Sequence, residues 1–178
     1  MTKNLNKIAK KLSKKKGKLD SLHEKSRDAV RLRRAGGREE KLARAAATTM
    51  KGRQLYVDRV AYFSNCTKDL EAPLTSEGVV DLLQQYLDRL KPELLEQQEA
   101  RRKGRPPSKR QEVLTEKIEM EAKEYETGFW IPDLESEDSL RRLHNWNQEW
   151  SAMSNLKFVR LTKDGEKRPS LFPPKGLS

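Results

Sequence analysis

A single cysteine, Cys66, stands in 178 residues, so no intrachain disulfide can form, and a reducing compartment fits. Cys66 itself reads as a small buried apolar residue. Histidine is almost as scarce. His23 and His144 have no cysteine or second histidine at metal-ligand spacing, so no metal site is expected. No run approaches the ~20 apolar residues a membrane span needs. The first residues lack an apolar signal core, which argues against secretion. Phosphate-cradling motifs of the GxxxxGK[ST] or GxGxxG type are missing, and no nucleophile–histidine–acid set stands out. Glu119, Glu121 and Glu124 read as the solvated face of a helix supported by neighbouring lysines, not as paired catalytic acids. The expectation is a non-enzyme with no cofactor. Apolar residues are also short: 34% of the chain, against 37% charged. Ordinary domains run at roughly 45–50% apolar and about 25% charged, so only a small core can be buried.

What the chain has in excess is positive charge, with a net of +11. Between Met1 and Arg53, 18 of the 38 Lys and Arg meet only five of the 27 acids, a net of +13; the remainder carries 20 against 22. A nearly neutral body with a basic arm favours polyanions, because each phosphate neutralised releases condensed counterions. Lys14, Lys15, Lys16 and Lys18 form one cluster, and Arg31, Arg33 and Arg34 a second. Both are candidate phosphate contacts and also match short nuclear import signals.

The expected fold class is mainly α: a helical body of about four helices, a basic extended N-terminal arm and an irregular C-terminal tail. Residues 1–37, interrupted by Gly17, Gly36 and Gly37, read as an arm that orders on its partner. The body spans 38–155. Leu42, Ala46, Thr49, Tyr56, Val60 and Phe63 fall on one helical face, while Arg38, Lys41, Arg44, Lys51 and Arg53 lie on others. Pro73 separates this element from the next. Thr75 reads as an N-cap, with Leu74 and Val79 as a hydrophobic staple. Val79, Leu82, Leu83, Tyr86, Leu87, Leu90 and Leu94 make a broad apolar face, and Pro92 marks a kink or the first turn of a new segment. Ser108 and Gln111 form a capping box for a helix to about Thr127 that faces inward through Leu114, Ile118, Ala122 and Tyr125. Gly128 is its stop. An extended apolar segment, Phe129 to Leu134, precedes a short helix capped by Ser136 and carrying Leu140, Leu143, Trp146 and Trp150. Trp130, Trp146 and Trp150 are expected to be mainly core, with a second role as docking surface for a protein neighbour. Residues 156–178 read as an extended strap and tail, with strand-like alternation from Leu156 to Leu161.

Residues 101–110, RRKGRPPSKR, hold six cations and no acid. Arg101, Arg102, Lys103, Arg105, Lys109 and Arg110 are therefore candidate contacts to nucleic acid. Lys103-Gly104-Arg105-Pro106 approximates a minor-groove hook for A·T-rich DNA, with lysine where the usual core has arginine. The preferred reading is a basic interhelical loop on phosphate; a DNA-binding chromatin protein is the alternative.

Three stretches together resemble a known family. They are Val80-Asp81-Leu82-Leu83-Gln84-Gln85-Tyr86-Leu87-Asp88-Arg89 followed by the basic turn, then Tyr125-Glu126-Thr127-Gly128, then Ile131-Pro132-Asp133-Leu134. Leu143 to Trp150 and Asn155-Leu156-Lys157 extend the match, which covers about residues 38–165. The chain resembles the translation machinery-associated protein 16 family. That resemblance implies a non-catalytic assembly factor of precursor 60S particles in the nucleus, nucleolus and nucleoplasm. Its partners would be ribosomal RNA, ribosomal proteins and other assembly factors, with neither a membrane nor a small-molecule substrate.

Overall fold

A computed structural model describes residues 5–16, 22–70, 72–102 and 104–174. The elements in order are α1 (Leu5–Lys16), α2 (Arg27–Thr67), α3 (Ser76–Asp88), α4 (Lys91–Glu99), α5 (Lys109–Thr127), β1 (Phe129–Pro132), α6 (Glu137–His144), a 3-10 turn (Ser151–Asn155), β2 (Phe158–Leu161) and β3 (Lys167–Ser170). The protein is mainly α, as expected. It divides into two units, Met1–Gly52 and Arg53–Ser178, with α2 contributing to both.

In the first unit the basic arm is helical over Leu5–Lys16 and again from Arg27, with a turn at residues 22–26 between the described stretches. Leu5, Ile8 and Leu12 lie at helical spacing on α1 and pack with Leu32 and Ala35 of α2. Ser26 opens α2: its hydroxyl accepts from the Ala29 N–H at 3.2 Å, and Asp28 places a carboxylate in the first turn. The expected break at Gly36-Gly37 does not occur; α2 passes through both. Each glycine costs about 1 kcal/mol relative to alanine in a helix, which the good helix formers around them offset. The arm boundary at residue 37 thus falls inside a helix.

The second unit is built on the latter half of α2. Val57, Val60 and Phe63 are buried there, but Leu42, Ala46 and Thr49 are exposed, so the predicted stripe packs only past Gly52. Thr75 caps α3 by accepting from the Gly78 N–H at 3.2 Å, and Val79, Leu83 and Tyr86 face the core. Pro92 sits in the first turn of α4, where its missing N–H has no helical acceptor to lose. Ser108 caps α5, and Gly128 ends it at φ 123°. A Cβ on Gly128 would lie 3.3 Å from that of Arg160, so glycine answers both the positive φ and the close strand.

After Gly128 the chain forms an antiparallel sheet of order β1-β2-β3, pairing Trp130 with Arg160 and Arg160 with Arg168. All four residues of β1 are buried, and so its sequence is continuously apolar instead of alternating. The expected C-terminal strap is therefore part of the folded body. The tail supplies β3, where Pro169 is tolerated because edge strands need not donate on both sides. Trp146 and Trp150 lie beyond the end of α6. Cys66 is exposed, contrary to expectation.

The largest correction concerns α5. Its inward face is Gln111, Leu114 and Glu121, with Ala122 exposed. Glu124 receives Arg59 through two bonds of 2.8 and 2.7 Å; Glu121 receives Arg89 through two of 2.9 and 2.7 Å. Arg59 also donates to the Trp130 carbonyl at 3.2 Å and stacks over Phe129, its guanidinium 4.1 Å from the ring centre. Burial works against its charge, yet the bonds to Glu124 outweigh that and hold the guanidinium above its ordinary titration range. These acids are structural, not a solvated face.

Removing one partner of such a pair strands a charge in the interior. Glu124→Ala should cost about 3–5 kcal/mol by urea unfolding, and Arg59→Met combined with Glu124→Leu should recover most of it. Glu93→Ala, which breaks an exposed pair, should cost under ~1 kcal/mol.

Candidate nucleic-acid interface

Three basic regions can be located. On α1, Lys14 and Lys15 are exposed; Lys16 ends the helix; Lys18 lies outside the described residues. On α2, Arg31, Arg33 and Arg34 are exposed. Packing of Ile8 and Leu12 against α2 brings Lys7, Lys11 and Arg31 around a shallow cleft of about 160 Å³. Arg33 turns back on the chain, donating to the Glu24 carbonyl at 2.5 Å, so it is partly engaged.

The second region is the middle of α2. Every residue from Arg38 to Lys51 is exposed, including Leu42 at 71% and Met50 at 69%. A helical stretch solvated on every side suits a segment that bridges to another molecule. Arg38, Lys41, Arg44 and Lys51 project here, and Arg44 bonds Glu40 one turn earlier. Within a single helix the placement of these cations on several faces follows from the 3.6-residue period.

The third region is the turn from α4 to α5. Arg101, Arg102, Arg105 and Lys109 are exposed, and Lys103 lies outside the described residues. The Arg105 N–H donates to the Arg102 carbonyl at 3.1 Å, closing a turn in which Gly104 takes φ +85°. Arg110 is not available in the same way: its guanidinium meets Glu93 at 2.6 Å and ties α5 to α4. Together with Gln97, Ala100 and Gln111, the turn lines a cleft of about 490 Å³. A minor-groove hook needs an extended strand free to follow the groove. Here Gly104-Arg105-Pro106 is a turn held between two helices, which removes the basis for the DNA reading.

Acidic surface lies apart in sequence, on α3, where Glu77, Asp81 and Asp88 are at least partly exposed. Lys91 bonds Asp88 at 2.6 Å and, with Gln84, holds its carboxyl below the usual range. The tryptophans are mostly interior. Trp130 is fully buried, stacked on Phe158 with ring centres 4.0 Å apart, and Trp146 is buried with its indole N–H on the Glu149 carbonyl at 3.0 Å. Trp150 is half-buried between Phe172 and the Arg53 guanidinium and is the most exposed of the three. His144 bonds the Thr67 carbonyl at 2.9 Å, consistent with a packing role. Among the described residues no group of three or more His, Cys, Asp and Glu side chains could hold a metal ion.

Residues 18–163 match the family described as translation machinery-associated protein 16. The chain is similar to the protein of that name from Saccharomyces cerevisiae, with 32% identity over 170 residues, covering 93% of this chain and 95% of the relative. It is also similar to those of Mus musculus, 26% over 148 residues with 80% and 67% covered, and Danio rerio, 26% over 155 residues with 84% and 80% covered.

The exposed cations of α2 are separable from stability. Replacing Arg38, Lys41, Arg44 and Lys51 together by Gln should leave unfolding within about 0.5 kcal/mol per position. The slope of log affinity for RNA against log salt should shrink by roughly 0.7–0.9 for each phosphate no longer neutralised, as measured by titration at several salt concentrations.

Proposed function

The chain belongs to the translation machinery-associated protein 16 family, and from that premise we propose that it is a non-catalytic assembly factor associating with precursor 60S particles in the nucleus and nucleolus. The family name supports association with the translation machinery. The step to ribosomal RNA rests on one observation above all: a basic helical stretch, Arg38–Lys51, exposed along its whole length. A helix solvated on every side, with cations on several faces and exposed Leu42 and Met50 between them, suits a groove walled by phosphate and protein. Lys14, Lys15, Arg31 and Arg34 extend the cationic surface of the first unit. Arg101, Arg102 and Arg105 add a separate contact on the second. Ribosomal proteins and other assembly factors would meet the remaining surface, including the half-buried Trp150.

Gradient sedimentation of nuclear extract containing tagged protein tests this reading. Co-migration with precursor 60S particles is expected, with release on raising the salt. Migration only with small species, at low salt as well as high, would overturn it.

A further inference from the structure

We propose that Ser108 is a regulatory phosphorylation site, and that a phosphate on its hydroxyl engages Arg101, Arg102 and Arg105 and so switches off the RNA contact of the basic turn. The inference rests on the RNA-binding reading above and goes further, because it gives that contact a means of release.

Position singles out this hydroxyl. Of all the serines and threonines in the chain, Ser108 alone has an arginine, Arg105, three residues ahead of it. A kinase that selects basic substrates reads such a guanidinium with its own carboxylates. The approach to the serine is open to an enzyme. Residues 105–108 are exposed and belong to no helix or strand. Pro106 and Pro107 keep this approach out of helix, and Ser108 itself is extended at φ −70° and ψ 152°. Other serines with basic neighbours are placed differently. Ser13 follows Lys10 by three residues but lies inside α1, where its backbone is committed to helix. Ser170 follows Lys167 by three but lies in β3, and that lysine is held by Asp133 and Glu135, each at 2.8 Å.

The surroundings suit the product. Ser108 shares a cleft of about 490 Å³ with Arg101, Arg102 and Arg105. All three arginines are exposed and have no carboxylate partner among the described residues. In the transfer, the Ser108 Oγ forms a bond to the γ-phosphorus of ATP as that phosphorus loses its bond to the bridging oxygen. ADP leaves, and the hydroxyl proton passes to a base of the kinase. The new group carries a charge of about −1.5 to −2 and three acceptor oxygens. Ser108 already accepts the Gln111 N–H at 3.1 Å as the N-cap of α5, and a phosphoryl oxygen keeps an acceptor at that place. Negative charge there is also favoured by the helix dipole. The modified turn thus gains charge-assisted bonds within the chain. Guanidinium groups that hold the phosphoserine are no longer free for RNA, and its charge repels the RNA backbone. One modification therefore moves two properties in opposite directions: the fold becomes more stable and RNA binding weaker.

Incubating the full chain with ATP and a kinase selective for arginine three residues ahead of serine tests this. Mass spectrometry is expected to find phosphate on Ser108, and Ser108→Ala should remove it. The phosphorylated chain should bind a fluorescein-labelled RNA hairpin about fivefold more weakly at ~0.15 M salt, with the slope of log affinity against log salt reduced by roughly 0.7–0.9 for each RNA phosphate released. Its Tm should rise by about 2 °C, which separates weaker binding from unfolding. In a chain carrying Arg101→Gln and Arg102→Gln, which leaves Arg105 for the kinase, the loss of affinity on phosphorylation should fall below twofold. Absence of phosphate from Ser108 in the folded chain, or equal RNA affinity before and after its addition, would overturn the switch while leaving RNA binding intact. Failure of the unmodified chain to bind the hairpin would overturn the RNA reading as well. Modified and unmodified wild type are compared directly, so the test does not depend on how Ser108→Ala folds.

Discussion

Arg59 and Glu124 meet beside Trp130, the guanidinium buried and the carboxylate only a quarter exposed, and a charge there is tolerated only when it is paired. The pairing is extensive, although the Arg59 Nε is left buried without a partner among the described residues. Both terminal nitrogens of Arg59 reach Glu124, one also reaches the Trp130 carbonyl, and Glu124 accepts the Trp130 N–H at 3.2 Å. One guanidinium therefore fixes α2, α5 and β1 to each other at a single point. Arg89 and Glu121 repeat the device one turn earlier on α5, with the Arg89 guanidinium 3.4 Å from the centre of the Tyr86 ring. A chain with so few apolar residues cannot dock every helix by an apolar stripe. It docks α5 with carboxylates, and the aromatic cluster of Phe63, Tyr86, Phe129 and Trp130 keeps those carboxylates dry. Burial in the same cluster raises the Tyr86 phenol, so it stays neutral beside Glu121.

This anchoring bears on the basic turn between α4 and α5. The C-terminal half of α5 is held by two buried ion pairs, and its first turn is held to α4 by Arg110 and Glu93. The turn between the helices thus has both ends fixed. Gly104 supplies the positive φ that lets the chain reverse there, and a side chain at that position would be strained even though the space around it is open. Arginines displayed from a turn with fixed ends lose less freedom on binding than arginines on a free tail.

Much of this is legible in local sequence. Thr75, Ser108 and Gly128 act where their chemistry predicts, and the face of α3 from Val79 to Tyr86 is buried as its spacing requires. The departures have a common cause. By i,i+4 logic Glu121 and Glu124 belong to local lysines, but their partners lie 32 and 65 positions away, and nothing local marks a long-range guanidinium. The sheet is legible only in pieces. β1 is buried throughout and so shows no alternation, and β3 is an exposed edge containing proline. The length of α2 is hidden because Gly36-Gly37 has the look of a stop. For the candidate contacts, the sequence names cations but not their engagement within the chain: Arg110 is bound to Glu93 and Arg33 to Glu24.

Engagement, not net charge, decides where phosphate can bind. Beyond Arg53 the chain holds 20 basic and 22 acidic residues, and by that count its body should be indifferent to RNA. Many of those cations already have carboxylate partners: Arg59, Arg89, Lys91, Arg110, Arg141, Arg142, Lys157, Lys167 and Arg168. A cation already neutralised within the chain gives up that partner to bind phosphate, and the exchange contributes little. Arg101, Arg102 and Arg105 have no such partner among the described residues, and they cluster on one turn. A near-neutral body can therefore carry a strong local preference for a polyanion, and the same pairing that makes its total charge small is what leaves that turn distinct.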